Sequence, residues 1–496
     1  MSRARRREAC AVALLTGVAL ILRLAYAHSS RLPESTYRSA VIALSMMRDP
    51  WTALVTIVPT SVAIVFRSRT TWRRLAVPRA VRPMIVVFAL MAAWPAVTAS
   101  FDPYLQQGHA LDRLLLLGLA VAIAFHPGFC APFVALWWAL LGAHRVPIGP
   151  WAFVDVLAPM QILIVFVAAL VLSAVRLQGA SRFLLVATSM HLAAYVGSAI
   201  AKVRLGWPAV EDPGLFFINA HVNGWRSDLD DGTVTSIART LSRVRWPLTL
   251  SLLTVELSAI VVFVNRTAAR VVLVALATMH VAITLVSGIF FWPWVVVDVA
   301  LACVLRQPKR LFLSSVFVIA VTLCFRAAPI LSWVDTRACN TYVFEAIGES
   351  GRVYQLSRRA FDPYDAFFTQ GRFRFLDDER LSVDTYGETR EPDVARALVS
   401  ADEVPKVDAR FGVDDYDDAR ARRFDALIVA LVQRRRSARW WRALAPPPTT
   451  LGSTGVRLEE IAEPIRVVRV RGVRTFYDGA RLIVLGDRIV REVRIP

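Results

Sequence analysis

Residues 181–207 read SRFLLVATSMHLAAYVGSAIAKVRLGW. The run is apolar over a length that lets one helix cross the ~30 Å hydrocarbon core of a bilayer. Near its end stands Lys202, one of only three lysines in a chain of 496 residues that otherwise carries its basic charge on arginine. A lysine can give up its proton, which the guanidinium of arginine does not do in proteins, and burial disfavours a charged ammonium. Lys202 is therefore a candidate base. The alternative is a snorkelling side chain that anchors the end of a helix.

On a helix of about 100° per residue, His191, Tyr195, Ser198 and Lys202 are spaced by four, three and four and fall on one stripe. Four polar groups on one stripe of an apolar helix make either a site or a hydrogen-bonded seam between packed helices. A second stripe occurs in ARVVLVALATMHVAITLVSGIFFWPWVVVDVALA (269–302), where His280, Thr284 and Ser287 share a face before an aromatic-rich break and Asp298. Glu256 lies inside another apolar run, SLLTVELSAIVVFV. Buried acids and imidazoles in such runs pair inward, so Glu256 and His280 are expected to meet each other or to face Lys202. Arg23, Asp155 and Arg326 are read as helix-packing residues.

The rest of the composition agrees with a membrane protein. Hydrophobic residues make up 56% of the chain, with 14 Trp and 26 Phe, and the apolar residues are gathered into long runs. The net charge of +19 comes with arginines that sit largely in short loops between those runs, so nucleic-acid binding is not indicated. The five cysteines are scattered and show no metal spacing, so neither a disulfide framework nor a metal site is indicated.

The N-terminal run, residues 1–27, is read as a first span rather than a cleaved signal, because further spans follow at once. These fall at approximately 50–66, 84–100, 112–126, 130–143, 152–175, 183–202, 246–264, 270–287, 289–305 and 310–330. The stretches His126-Pro127-Gly128 and Ser287-Gly288 fit tight hairpins, broken helices or re-entrant segments. The links RSRTTWRRLAVPRAVRP, RLQGASR, NRTAAR and RQPKR all fall on one side if every run crosses, which places that side and the N-terminus in the cytoplasm. Lys202 and everything after the last span then lie toward the opposite face.

The expected fold is mainly α: a polytopic membrane helical bundle of about 9–11 spans over residues 1–334, followed by an extracytoplasmic, strand-rich α+β domain over 335–496. In the latter, DDYDDARARRFDALIVALVQRRRSARWWRAL reads as an amphipathic helix with acids at its start. PIRVVRVRGVRTFYDGARLIVLGDRIVREVRIP alternates apolar with charged residues, and Asp478-Gly479 and Gly486-Asp487 are expected to form hairpin turns. Its arginines are read as a solvated face rather than a binding groove.

The order Tyr195-x-x-Ser198-x-x-x-Lys202-x-x-x-x-Trp207, then a span with Glu256, then a span with His280 and a Phe-rich turn, resembles the horizontally transferred transmembrane domain family, whose best-known member is vitamin K-dependent γ-carboxylase. The similarity covers about 110–310, and the segment WVDTRACNTYVFEAIGESGRVYQL with FDPYDAFFTQGRFRF resembles the tails of bacterial members. The resemblance implies an enzyme in which Lys202 deprotonates a reduced naphthoquinone of the vitamin K or menaquinol type. Oxygen then turns the quinol into an epoxide and a strong base, which removes a γ-proton from a glutamyl side chain so that carbon dioxide adds. On this resemblance Glu256 and His280 support Lys202, and His191, Tyr195, Ser198 and Trp207 surround the quinol. His109, the positional counterpart of an early functional histidine of the family though without the asparagines that precede it there, is placed with them at the quinol site. The C-terminal region is much shorter than that of the animal enzyme, so propeptide-directed carboxylation of clotting-type proteins is not expected.

Three functions follow. The first is a quinol- and oxygen-using carboxylase or epoxidase of the cell (inner) membrane, surrounded by lipid, with a secreted peptide or protein as substrate in the carboxylase case. The second is a non-catalytic maturation or export factor acting with a secreted partner. The third is a b-type haem or quinone electron carrier using His191 and His280. No phosphate-binding loop, dinucleotide fingerprint, HExxH or GxSxG motif occurs in the sequence.

Overall fold

The computed structural model describes residues 3–98, 102–148, 157–177, 179–305, 311–357, 373–435, 444–447, 451–452 and 454–496. Asp155, the RQPKR link, residues 361–372 of the aromatic segment and residues 436–443 lie outside the described residues. The apolar runs form α1 (Arg3–His28), α2 (Pro50–Val65), α3 (Val81–Thr98), α4 (Ala110–Phe125), α5 (Cys130–Ile148), α6 (Leu157–Ala174) and α7 (Gly179–Arg204). After a polar crossing made of α8 (Pro213–Val222) and α9 (Asp231–Arg243) come α10 (Arg245–Ser258, prolonged by a 3₁₀ segment to Phe263), α11 (Arg266–Ser287), α12 (Trp292–Val304) and α13 (Phe312–Cys324). Among the described residues, seven of these helices are long and apolar enough to cross a membrane; α2, α12 and α13 are shorter apolar helices.

Local chemistry sets the helix ends. Asp49 caps α2, accepting from Thr52 N at 2.8 Å, with Pro50 in the first turn where its missing N–H costs nothing. Asn265 caps α11 in the same way through Ala268 N, and Gly288 ends it at φ 71°, a conformation that a side chain strains. His126 caps the turn between α4 and α5 by accepting from Gly128 N, so that stretch is a tight hairpin.

Consecutive helices run between two poles, as their end contacts show. At the first pole Arg182 meets Glu8 at 3.2 Å, Arg69 donates to Ala174 O and Trp72 to Ile123 O. At the second pole Arg145 donates to Ser30 Oγ, Arg113 to Val97 O, and Ile42 N to Asp112. The basic stretches around 67–74 and 176–182 thus share a pole with the N-terminal arginines. In the middle, α6 and α7 are enclosed on nearly every side, whereas outer helices turn leucine and phenylalanine outward. Leu114, Phe125, Leu285 and Leu313 are 66%, 78%, 71% and 79% exposed. A bundle that is apolar within and without matches what hydrocarbon solvates.

The last apolar run ends earlier than the expected 330. Helix α13 stops at Cys324, Arg326 takes a left-handed φ of 50°, and 327–333 run back over the end of α7, where Leu331 N donates to Ser198 Oγ at 2.9 Å. The chain then enters the second region through β1 (Val334–Asp335), β2 (Ala338–Gly348) and β3 (Val353–Gln355), continuing through β4 (Glu388–Thr389), α14 (Pro392–Ala397), α15 (Val404–Phe411), α16 (Asp418–Gln433), β5 (Ile465–Tyr477) and β6 (Leu482–Arg494). An antiparallel sheet of order β3-β2-β5-β6 packs its apolar face on Phe424, Leu427 and Ile428 of α16. This region lies at the second pole, where Trp94 Nε1 donates to Leu444 O at 2.5 Å.

Asp478-Gly479 is the hairpin turn, with Gly479 at φ 99°, but Gly486-Asp487 is not a turn. Both residues sit inside β6 beside a register shift, because Asp487 is held across the strands by Arg471 and the ladder continues on either side. The strand arginines are paired with acids: Arg469 with Glu492, Arg491 with Asp425 and Arg488 with Asp378.

Candidate functional site

The polar stripe of α7 faces three other helices. At its inner end His191 Nε2 lies 2.9 Å from Asp298 Oδ1 on α12, and one turn later Tyr195 OH donates to Asp298 Oδ2 at 2.6 Å. His280 of α11 comes in from the other side, its Nδ1 3.5 Å from Tyr195 OH and 3.8 Å from Asp298. The Trp294 ring packs against all three, with centroids 5.2, 5.5 and 5.9 Å from His191, Tyr195 and His280. Asp298 is wholly buried, and two donors on one helix hold its two oxygens. The result fixes the Tyr195 hydroxyl. The two imidazoles lie against one indole and converge on one carboxylate, an arrangement that does not favour the haem reading.

Two turns further along α7, Lys202 Nζ donates to Glu256 Oε1 of α10 at 2.6 Å and stands 4.7 Å above the Trp207 ring. The indole of Trp207, carried by the single helical turn Trp207–Val210, donates to Trp333 O at 2.6 Å. Both charged residues are buried, and among the described residues Glu256 Oε2 has no hydrogen-bond partner. Removing an ion pair from water costs several kcal/mol per ion, which the mutual attraction repays only when the remaining lone pairs are also satisfied. Here one is not, and such a lone pair can accept a donor from a bound molecule.

A cavity of about 500 Å³ opens beside this pair. Tyr195, Ser198, Lys202, Trp207, Glu256 and His280 line it, and so do Phe291, Trp294, Trp333 and a set of Leu, Ile and Val side chains from α10 and α11. Few polar groups converge on an apolar chamber, the usual make-up of a site for a largely apolar ligand with a polar head. Of the residues expected to act together, Lys202 and Glu256 are joined directly, while His280 reaches the cavity from the Tyr195–Asp298 group instead. Ser198 lines the chamber but spends its oxygen on Leu331 N. Thr284 and Ser287 bond to backbone carbonyls of their own helix and of the turn after it.

Two residues expected at the quinol site do not line the chamber. His191 stands behind Tyr195 and acts on it through Asp298. His109 lies at the start of α4 with φ 46°, its Nδ1 3.3 Å from Asp112, whose carboxylate also accepts from Ile42 N and Ala43 N. It is buried at a different helix junction, away from the cavity lining. Conversely Trp294, Glu211 and Asp335 line the chamber without having been expected there, and Asp298, which stands behind the wall, was not expected to hold His191 and Tyr195. Asp298 carries the same signal as Glu256, an acid within an apolar run; Glu211 and Asp335 stand in polar context, 124 residues apart, and carry none.

No family model, no curated protein and no solved structure matches the chain.

Proposed function

We propose that the chain is a multi-pass membrane enzyme of the γ-carboxylase-like kind, which uses a quinol and oxygen as an epoxidase or carboxylase, with Lys202 as the base. The observation that carries this reading is the Lys202–Glu256 pair set in the wall of an apolar cavity, with one carboxylate oxygen unpartnered among the described residues. Trp294, Phe291 and Trp207 would hold the rings of a flat two-ring molecule with polar ends, and Glu256 Oε2 or Lys202 Nζ would take a hydroxyl. A reduced naphthoquinone bound there supplies acidic hydroxyl groups and, with oxygen, the oxidising power for a strong base.

The protein's own part is acid–base work and exclusion of water. The 2.6 Å bond lets one proton lie on Lys202 Nζ or Glu256 Oε1, so Nζ is free to take a proton when the carboxyl group holds the other. Tyr195, held by Asp298, offers a fixed hydroxyl, and His280 a second polar edge. The basic loops at the first pole support an N-terminus in the cytoplasm and Lys202 toward the opposite face of the cell membrane. That face is where a secreted peptide or protein substrate is found.

Membranes containing the chain are supplied with reduced menaquinone and oxygen, and the quinone epoxide is quantified. The expected result is oxygen-dependent epoxide formation that disappears in both Lys202→Ala and Lys202→Arg while the variants still insert. Epoxide formed at the normal rate by Lys202→Arg removes Lys202 as the base, and none from the unsubstituted chain removes the quinol reading.

A further inference from the structure

The cavity holds a second pair of acids that the reaction above does not use. Glu211 follows the turn Trp207–Val210 and Asp335 closes β1, so the pair bridges the bundle and the C-terminal region. They are 4% and 2% exposed, and both line the chamber that Lys202 lines. Asp335 N donates to Glu211 Oε2 at 3.2 Å, which sets the two acids side by side in that wall. Two neighbouring acids in a buried wall are costly to ionise together, so the pair is expected to hold one proton. Asn219 Nδ2, 3.3 Å from Asp335 Oδ1, and the Trp333 indole steady the remaining charge.

We propose that Glu211 and Asp335 form a proton-relay pair that takes the proton from Lys202 and returns it to water at the outer face. The proposal rests on the reading of Lys202 as a base. Once Nζ has gained a proton, one ammonium N–H bond breaks and one carboxyl O–H bond forms, so the pair passes from one proton to two. Release of one proton to water restores it, and no electrons move.

The electrostatics agree. Burial pushes Glu211 up to about 7, and burial followed by the charge and hydrogen bond of Glu211 pushes Asp335 well above the usual carboxylate range. The Lys202 charge acts on Glu211 in the opposite sense, so protonation of the lysine is felt at the pair. The other ionisable groups on the surrounding elements are Glu256, held by Lys202, and Asp212, which accepts from Ser242 Oγ and Gly214 N. Glu388 lies opposite Asp335 on β4, His221 of α8 is turned to Trp225 O, Arg396 of α14 is paired with Asp393, and Arg204 at the end of α7 is exposed.

Dicyclohexylcarbodiimide, an apolar reagent that modifies protonated buried carboxyl groups, tests this on the full chain in detergent, with mass spectrometry of the adducts over a pH series. Glu211 or Asp335 is expected to be modified below neutrality, with a midpoint at or above about 7. Lys202→Ala, or the bulkier Lys202→Met if the alanine variant misfolds, is expected to raise that midpoint by roughly half a unit to one unit, the scale of one nearby cation. Lys202→Arg keeps the cation and leaves the midpoint in place.

Absence of adducts at both carboxyl groups below neutrality overturns the shared proton, and a midpoint unmoved without the Lys202 cation overturns the relay. Normal epoxide formation by Lys202→Arg overturns the relay through loss of its donor. That failure is told apart because the adducts and their midpoint would stand unchanged.

Discussion

Lys202 and Glu256 join α7 to α10 through a single 2.6 Å hydrogen bond, and each is the other's direct counter-ion. Such a pair costs more to break than to replace. Lys202→Ala leaves Glu256 buried without its cation and is expected to cost about 3–5 kcal/mol. The double variant Lys202→Met with Glu256→Gln is expected to recover most of that loss. Thermal unfolding in one detergent checks both; a double variant no more stable than Lys202→Ala sinks the prediction.

Tyr195→Phe removes the donor to Asp298 Oδ2 and leaves a buried carboxylate oxygen less well satisfied. A loss of roughly 1–3 kcal/mol is expected, because the desolvation of Asp298 then goes uncompensated. Asp298→Asn in the same background is expected to restore part of the loss by removing the charge. Denaturation midpoints of the three proteins decide the matter, and an unchanged midpoint in Tyr195→Phe argues against the bond.

The junction between bundle and C-terminal region is expected to weaken as pH rises. Glu211 has a folded value raised from the ordinary 4.5 to about 7. Its contribution is complete below 4.5 and is lost progressively as pH climbs toward 7, on the order of 3 kcal/mol in all. Glu211→Gln is expected to flatten the fall in melting temperature across this window. The opposite slope, or one unaffected by the substitution, counts against a neutral Glu211.

Gly288→Ala tests the turn between α11 and α12. A Cβ there would lie 2.5 Å from the Trp225 ring and 2.9 Å from Leu451 O, on a backbone at φ 71°. A cost of about 1–3 kcal/mol is expected from the backbone alone. Limited proteolysis near Leu451, whose N–H donates to Gly288 O at 2.7 Å, is expected to speed up. Unaltered cleavage would show that the contact is dispensable.

The stripe on α7 was legible because its four residues lie on one helix, where spacing alone fixes a common face. That His191 and Tyr195 turn to Asp298 was not, since it depends on how α12 packs beside α7. The same limit explains His109, whose direction is set by a left-handed cap and by Asp112 rather than by any periodic pattern. Gly486-Asp487 shows the reverse error: a turn-forming dipeptide sits within a strand because Arg471 holds it across the ladder. Glu211 and Asp335 needed the fold itself. In sequence they are two acids in polar segments, and only the return of the chain after α13 brings them into one wall.

The segment 329–335 supplies Pro329, Leu331, Trp333 and Asp335 to the cavity, and Trp333 O takes the Trp207 indole N–H. In the order of synthesis these residues emerge after every helix of the bundle. Helix assembly and completion of the chamber are therefore separate events in the life of the chain: a nascent protein interrupted before residue 329 would own all its long apolar helices and still lack one wall of its site.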